Sequence, residues 1–432
     1  MTEKQYAQSL IDFLNESPCN FLAVDTIKSE LKKAGFQELN ATDKWNLEKG
    51  AKYFVTKNDS AIFAFVPGTE KIEEAKFKIV AAHSDSPCFR IKPNAEIATE
   101  GGIVKLNTEV YGGPILYTWF DRPLSVAGRV IIKGVTPFDS QVKLINIKRP
   151  ILVIPHLAIH FNRGVNEGNP LSKQKDMLPV IGIVKEATEK NNLLLNLVAN
   201  ELGVEIGDII DFDLMLYNTQ PAMQVGLNNE FICSGRIDDL SMVHAGLMAL
   251  LENSDYKTTK VLAVFDNEET GSSTKQGAAS PVLANILRRL VANLGGSEED
   301  FYRAIARSFM VSADNAHAFH PNYAEKYDIT NHPVMGGGPI IKINANCKYM
   351  SDAHSSAVFS ELCKRANVPF QYFVNHSDVA GGSTLGNIFT SQMDIEGVDV
   401  GNPIWAMHSA CETGAVIDQY LMIKAMKQFF ID

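Results

Sequence analysis

The chain has no basic tract, no CxxC pair, no internal repeat and no apolar run of membrane-spanning length. Each absence removes a class of protein. Without Lys and Arg clustered among aromatics, no nucleic-acid partner is expected. Without about 20 consecutive apolar residues, no membrane span is expected. The six cysteines (Cys19, Cys88, Cys233, Cys347, Cys363 and Cys411) are scattered over 432 residues, so they read as reduced thiols and not as a disulfide frame or a zinc knuckle. The first residues run directly into the amphipathic pattern of Tyr6, Leu10, Ile11, Phe13 and Leu14. They lack the basic and apolar regions of a secretory signal, and the expected setting is the cytoplasm. The runs Gly336-Gly337-Gly338 and Ala380-Gly381-Gly382-Ser383-Thr384 lack phosphate-loop spacing; they are expected to let a substrate approach the backbone.

What is present is an ordinary globular balance, 45% hydrophobic and 21% charged, with a formal net charge of -10. Residues 2–35 read as two helices broken at Ser17-Pro18 and closed by Gly35. Strand patterns follow at 53–55, 61–66 and 77–82. From about Lys92 to Glu230 the chain becomes a series of short β-like runs separated by Gly, Pro and Asn, with one helix pattern at 192–202. After Asp238-Asp239 helices and strands alternate, and a long final helix is expected from near Thr413. The expected fold class is α/β: a mixed central sheet flanked by helices, built from 1–92 and 231–432, interrupted by a β-rich inserted domain at 93–230.

The chemistry gathers where apolar runs end. Val261-Leu262-Ala263-Val264-Phe265 reads as a buried strand that delivers Glu268-Glu269 to a Thr-Gly-Ser turn. Two like charges at the end of a buried strand are tolerated if a cation sits between them or if one is protonated. Other runs end in His83-Ser84-Asp85 and in Asp314, with His317 and His320 close behind, and a further one is followed by Trp405-Ala406-Met407-His408. Asp238 precedes a helix. Such an imidazole and carboxylate set, without thiolate, suits zinc, cobalt or manganese. A carboxylate bridging two ions about 3.5 Å apart would give a two-metal hydrolytic centre.

Six motifs, in order along the chain, carry a resemblance. They are Ala82-His83-Ser84-Asp85-Ser86-Pro87, Ile154-Pro155-His156-Leu157-Ala158-Ile159-His160 and Gly235-Arg236-Ile237-Asp238, then Phe265-Asp266-Asn267-Glu268-Glu269-Thr270-Gly271-Ser272, Ser312-Ala313-Asp314-Asn315-Ala316-His317-Ala318-Phe319-His320-Pro321-Asn322-Tyr323 and Ala406-Met407-His408-Ser409. With these the chain resembles the aspartyl aminopeptidase family of dinuclear zinc metallo-aminopeptidases.

The resemblance implies two divalent ions per subunit, zinc foremost, with cobalt or manganese as alternatives. His83 and Asp314 would bind one, Glu269 and His408 the other, and Asp238 would bridge them. Glu268 would be the general base and then the acid, and Asp85 would orient the His83 imidazole. His160 is expected either among the metal ligands or, as the favoured role, reaching the active site of a neighbouring subunit to meet substrate or oxyanion. The implied substrates are short peptides with a free N-terminus, and the implied assembly is a homo-oligomer of dimers forming a tetrahedral dodecamer through the inserted domain. His156, His317, His320, Asn322 and Tyr323 also match family positions, as packing or loop-fixing residues. Lys342 would either meet a substrate carboxylate or be solvated.

The pattern departs at Asn375-His376-Ser377-Asp378, where many members carry an Arg-Asn pair, and at Ala410-Cys411-Glu412, where many carry an Arg-Glu. The family's acidic-residue preference is therefore not carried over. Two rival readings are a dinuclear deacylase or carboxypeptidase of the same architecture, and a non-catalytic assembly protein that keeps the fold.

Overall fold

The computed structural model describes residues 1–184 and 192–432. The chain divides into two compact units. The first comprises Met1–Asp85, Ala222–Met407 and Glu412–Asp432; the second comprises Ser86–Pro221 and His408–Cys411.

In chain order the first unit begins with α1 (Glu3–Glu16), α2 (Asn20–Lys33), β1 (Gln37–Glu38), β2 (Tyr53–Lys57), β3 (Ala61–Val66) and β4 (Phe77–His83). The second unit supplies β5 (Cys88–Ala98), β6 (Ile103–Tyr111), β7 (Leu124–Ile132), β8 (Gln141–Asn146), β9 (Val180–Ile183), α3 (Leu193–Leu202) and β10 (Ile209–Asn218). The first unit resumes with β11 (Met223–Val225), β12 (Phe231–Ser234), α4 (Ile237–Leu251), β13 (Thr259–Phe265), α5 (Val282–Asn293), α6 (Glu298–Ala306), β14 (Phe309–Ala313) and β15 (Ala316–His317). It ends with β16 (Ile340–Lys342), α7 (Ala353–Arg365), β17 (Gln371–Phe373), α8 (Leu385–Phe389), β18 (Glu396–Gly401), β19 (Pro403–Trp405), β20 (Glu412–Ala415) and α9 (Val416–Ile431).

The first unit is built on a nine-stranded mixed sheet of order β1-β2-β3-β13-β4-β14-β18-β16-β17. Its centre, β13-β4-β14-β18, is parallel. Strands covered on both faces read as continuous apolar runs, which is how β4 and β13 appear in the sequence. Their side chains alternate between two cores. Val80, Ala82, Leu262 and Val264 pack with α1, α2, α4, α7 and α9. Phe77, Ile79, Ala81, Val261, Ala263 and Phe265 pack with α5, α6 and α8 on the opposite face. Gly246 sets how closely α4 sits on the sheet, since a Cβ there would lie 2.8 Å from Leu262 and 2.9 Å from Val80. A five-stranded sheet, β11-β12-β20-β19-β15, completes this unit.

Two expectations change here. The last helix starts at Val416 and not near Thr413, because Glu412–Ala415 forms β20 and pairs antiparallel with β12. Gly336 and Gly338 do not open a path to the backbone. Their N–H groups donate to the buried Asp418 carboxylate at 2.8 and 2.9 Å.

The second unit is a six-stranded antiparallel sheet, β8-β7-β10-β5-β6-β9. Its core gathers Phe89, Leu106, Trp119, Val126, Leu214 and Leu216, with Leu194 and Val198 of α3. His156 and His160 lie in this unit. The ring of His156 meets Phe120 edge-on at 4.5 Å. His160 sits in a short 3-10 turn, Ile159–Phe161, and is exposed; it is not packed in a sheet.

Candidate metal centre

Three neighbouring parallel strands deliver acid or imidazole at their C-terminal ends, the position where open α/β sheets bind ligands. β4 ends on His83 itself, β13 leads through Asp266 and Asn267 to a 3-10 turn at Glu268–Thr270, and β14 is followed at once by Asp314. Register aligns them, with His83 opposite Phe265. Asn267 takes a left-handed conformation (φ 62°) that turns the chain back after the strand. The fourth contribution, Asp238, comes from the entry to α4, where Asp238 and Asp239 are non-helical and joined by a cis peptide.

These side chains meet. Ligand atoms of His83, Asp238, Asp239 and Asp314, all buried, lie within 4.8 Å of one another. So do those of His83, Glu268 and Glu269, and Asp238 is equally close to Glu269. His83 Nε2 is 3.7 Å from Asp238 Oδ1. Its Nδ1 is 3.3 Å from Asp85 Oδ1 and 3.1 Å from the Asp85 carbonyl oxygen. The Asp85 carboxylate also accepts the backbone N–H groups of Glu268 and Glu269 at 3.1 and 3.2 Å. One buried carboxylate thus orients an imidazole on one strand and holds the Glu-Glu turn on the next.

The electrostatics are those of crowded negative charge. Burial drives the Glu268 carboxyl up to about 8; His83 opposes this, while Asp314, Asp85 and Asp238 add to it. Burial likewise raises Asp314 to about 6, against the pull of Lys342. Asp239 is raised well above the carboxylate range by burial, with Asp314 and Asp238 adding to the shift. Burial opposes charge on His83, yet the Asp239 and Asp85 carboxylates outweigh it and raise its pKa well above the ordinary value. Several carboxylates and an imidazole within ligand reach, each costly to keep charged alone, are a donor set that a divalent cation satisfies. The residues fit a zinc-type N/O site.

Three residues beyond those singled out from the sequence belong to this network. Asp239 accepts the His83 N–H at 3.1 Å. Glu412, 1% exposed, accepts the Asp238 N–H at 3.0 Å. Asn315 donates to the Ile237 carbonyl at 2.8 Å and to Ser241 Oγ at 2.9 Å, tying β14 to the start of α4. Asp239 was visible as the neighbour of Asp238. Nothing local in the sequence marks Glu412 as its partner, 174 residues away. Lys342 is not solvated: it is 3% exposed, donates to the Asn315 carbonyl at 2.7 Å, and lies 3.5 Å from Asp314 Oδ2.

Three other marked histidines make contacts of their own. His317 faces the Phe373 ring at 5.9 Å, and His320 stacks beside Tyr323 at 4.9 Å. His408 belongs to the second unit, where its Nδ1 is 3.0 Å from the Gly113 carbonyl oxygen.

A buried imidazole and carboxylate cluster at the C-terminal edge of a mixed, mainly parallel sheet defines a metallohydrolase. Residues 13–430 match the family of aminopeptidase I zinc metalloproteases, M18. The chain is 53% identical over 426 residues to a probable M18 family aminopeptidase 2 of Clostridium novyi (strain NT), covering 99% of this chain and 98% of that one. A counterpart of the same name in Pseudomonas aeruginosa (strain UCBPP-PA14) is 43% identical, covering 98% and 97%. Among solved structures, a chain of the Ape4–Nbr1 complex superposes with a TM-score of 0.95 at 34% identity, covering 99% of this chain and 86% of that one. The M18 aminopeptidase of Thermotoga maritima shares the fold, with a TM-score of 0.86 at 22% identity and coverage of 99% and 96%.

The chain belongs to the M18 family, that of the aspartyl aminopeptidases. It is a metallo-aminopeptidase, which sets aside the deacylase, carboxypeptidase and non-catalytic readings. Among the described residues no helix is long and apolar enough to cross a membrane.

Proposed function

We propose that this enzyme removes the N-terminal residue from short peptides at a centre of two divalent ions, zinc foremost. His83 and Asp314 would hold one ion, Glu269 and His408 the other, and Asp238 would bridge them. The observation that carries this reading is the placement of Asp238, which lies within ligand reach of both His83 with Asp314 and Glu269. His408 enters the set through the sequence resemblance. Bound there, the ions supply Lewis acidity and lower the pKa of the attacking water.

The chain's own residues do the rest. Glu268, which lies within reach of His83 and Glu269, takes the proton of the attacking water. It then returns that proton to the leaving amine nitrogen. Asp85 holds Glu268 and Glu269 by their backbone N–H groups and keeps the His83 ring in place. Lys342 offsets the charge of Asp314 from the buried side.

The β-rich segment at 93–230 is proposed as an inserted domain that mediates assembly, through dimers, into a tetrahedral dodecamer. A structural relative from S. cerevisiae, mApe1, is described as a dodecamer; it is 26% identical with a TM-score of 0.84, covering 98% of this chain and 96% of that one. Exposed His160 suits a role at the active site of a neighbouring subunit. The test compares free-amine and N-acetylated peptides of one sequence. Cleavage of the free-amine peptide alone, one residue at a time from the N-terminus, is expected; cleavage of the blocked peptide would contradict the exopeptidase reading.

A further inference from the structure

On the α5 side of the nine-stranded sheet lies a cavity of about 290 Å³ that contains none of the metal-centre residues. Its apolar wall includes Trp45, Phe63 and Ile286. Its charged lining is of one sign: Lys57 from β2, Lys275 from the segment before α5, and Arg289 from α5, with no carboxylate among the lining residues. Arg289 is held rigidly, its guanidinium 3.6 Å over the Trp45 ring and its N–H groups donating to the carbonyls of Ala41 and Asp43 at 2.8 and 2.5 Å. Among the described residues Lys57 and Lys275 have no ion-pair partner.

An apolar wall beside cations without ion-pair partners is the combination that small-ligand sites use, apolar contact for affinity and a few charges for orientation. The volume lies at the small end of ligand pockets, about 300–1,000 Å³ in general. We propose that this cavity binds a small apolar monocarboxylate, an aryl- or branched alkyl-substituted acid, with its carboxylate at Lys57 and Lys275 and its body against Trp45, Phe63 and Ile286. A free amino acid fits less well, because its ammonium would lie beside two lysines with no acidic side chain to receive it.

Calorimetric titration of the full-length, metal-loaded enzyme with 3-phenylpropanoate, 3-phenylpropanamide and 3-phenylpropylamine tests the site. The acid is expected to bind at least about tenfold more tightly than the amide or the amine. In the Lys57→Gln/Lys275→Gln double variant its affinity falls by about tenfold or more, while peptide hydrolysis stays at the wild-type rate. Val282→Trp, which fills the cavity from α5, abolishes binding. Absence of binding to the wild-type enzyme, equal affinity for acid and amide, or undiminished acid affinity in either variant would overturn the proposal. The last result would place the acid elsewhere, such as at the metal centre.

Discussion

Asp85 Oδ1 accepts the backbone N–H of Glu268 at 3.1 Å, across 183 residues of sequence. The same carboxylate lies against His83 Nδ1. The proposed general base and a proposed metal ligand therefore share one positioning residue, and disturbing it is expected to displace both.

Asp85→Asn keeps the size of the side chain but replaces one acceptor oxygen with a donor that faces an N–H. The variant is expected to lose about 10–100-fold in metal affinity or kcat, the usual cost of removing a partner that orients a ligand. Metal content after dialysis and kcat at saturating metal check this separately.

Lys342 and Asp314 form a buried pair in which the lysine faces no water. Lys342→Met leaves Asp314 without its nearby cation and the Asn315 carbonyl without its donor. Breaking a buried pair from one side costs about 3–5 kcal/mol. A fall of that size in urea unfolding free energy is expected for the metal-free protein, and a smaller fall with metal bound, since a cation would again face Asp314.

The buried His244 carries a pH signature far from the chemistry. Its Nε2 is 3.0 Å from Ser9 Oγ and its Nδ1 is 3.1 Å from Gln419 Nε2, an arrangement suited to a neutral ring. Burial pushes its pKa from 6.5 down to about 3. Between those values the unfolded chain binds the extra proton, so stability rises with pH there and is lost as pH falls below about 6.5. The slope approaches about 1.4 kcal/mol per pH unit. His244→Gln is expected to flatten this acid limb in urea melts between pH 7 and 4, whatever it does to stability at neutral pH.

Chelation should abolish hydrolysis and lower the melting temperature together. Removing an ion held at about 100 times its Kd costs about 2.7 kcal/mol per site, a figure that already includes the repulsion left among the carboxylates of the empty site. Added zinc is expected to restore activity and melting temperature in parallel, followed by calorimetry and a chromogenic aminoacyl substrate.

His83, Glu268, Glu269 and Asp314 stood out because each lies at the end of an apolar run that reads as a buried strand, and the end of such a strand has a defined place in an α/β sheet; their roles came from the family resemblance. The nine-strand order was not legible. It depends on which strands pair across the insertion, as when β13 enters between β3 and β4. The partners of Glu412 and Lys342 were not legible for a related reason. Their roles come from contacts with Asp238 and Asp314 that no local pattern encodes. The last helix was expected from near Thr413, whereas pairing with Phe231–Ser234 holds Glu412–Ala415 as strand. The triple glycine looked like a substrate path, but its partner, Asp418, is buried on α9.

Glu268 is proposed to move protons and not to hold metal. Glu268→Gln is isosteric, removes the acceptor and leaves His83, Asp238, Glu269 and Asp314 in place. The measurement is kcat for a free-amine aminoacyl substrate alongside metal stoichiometry on the same preparation. The expected result is wild-type metal content with kcat reduced by about 10²–10⁴-fold. Wild-type kcat at full metal occupancy would contradict the account.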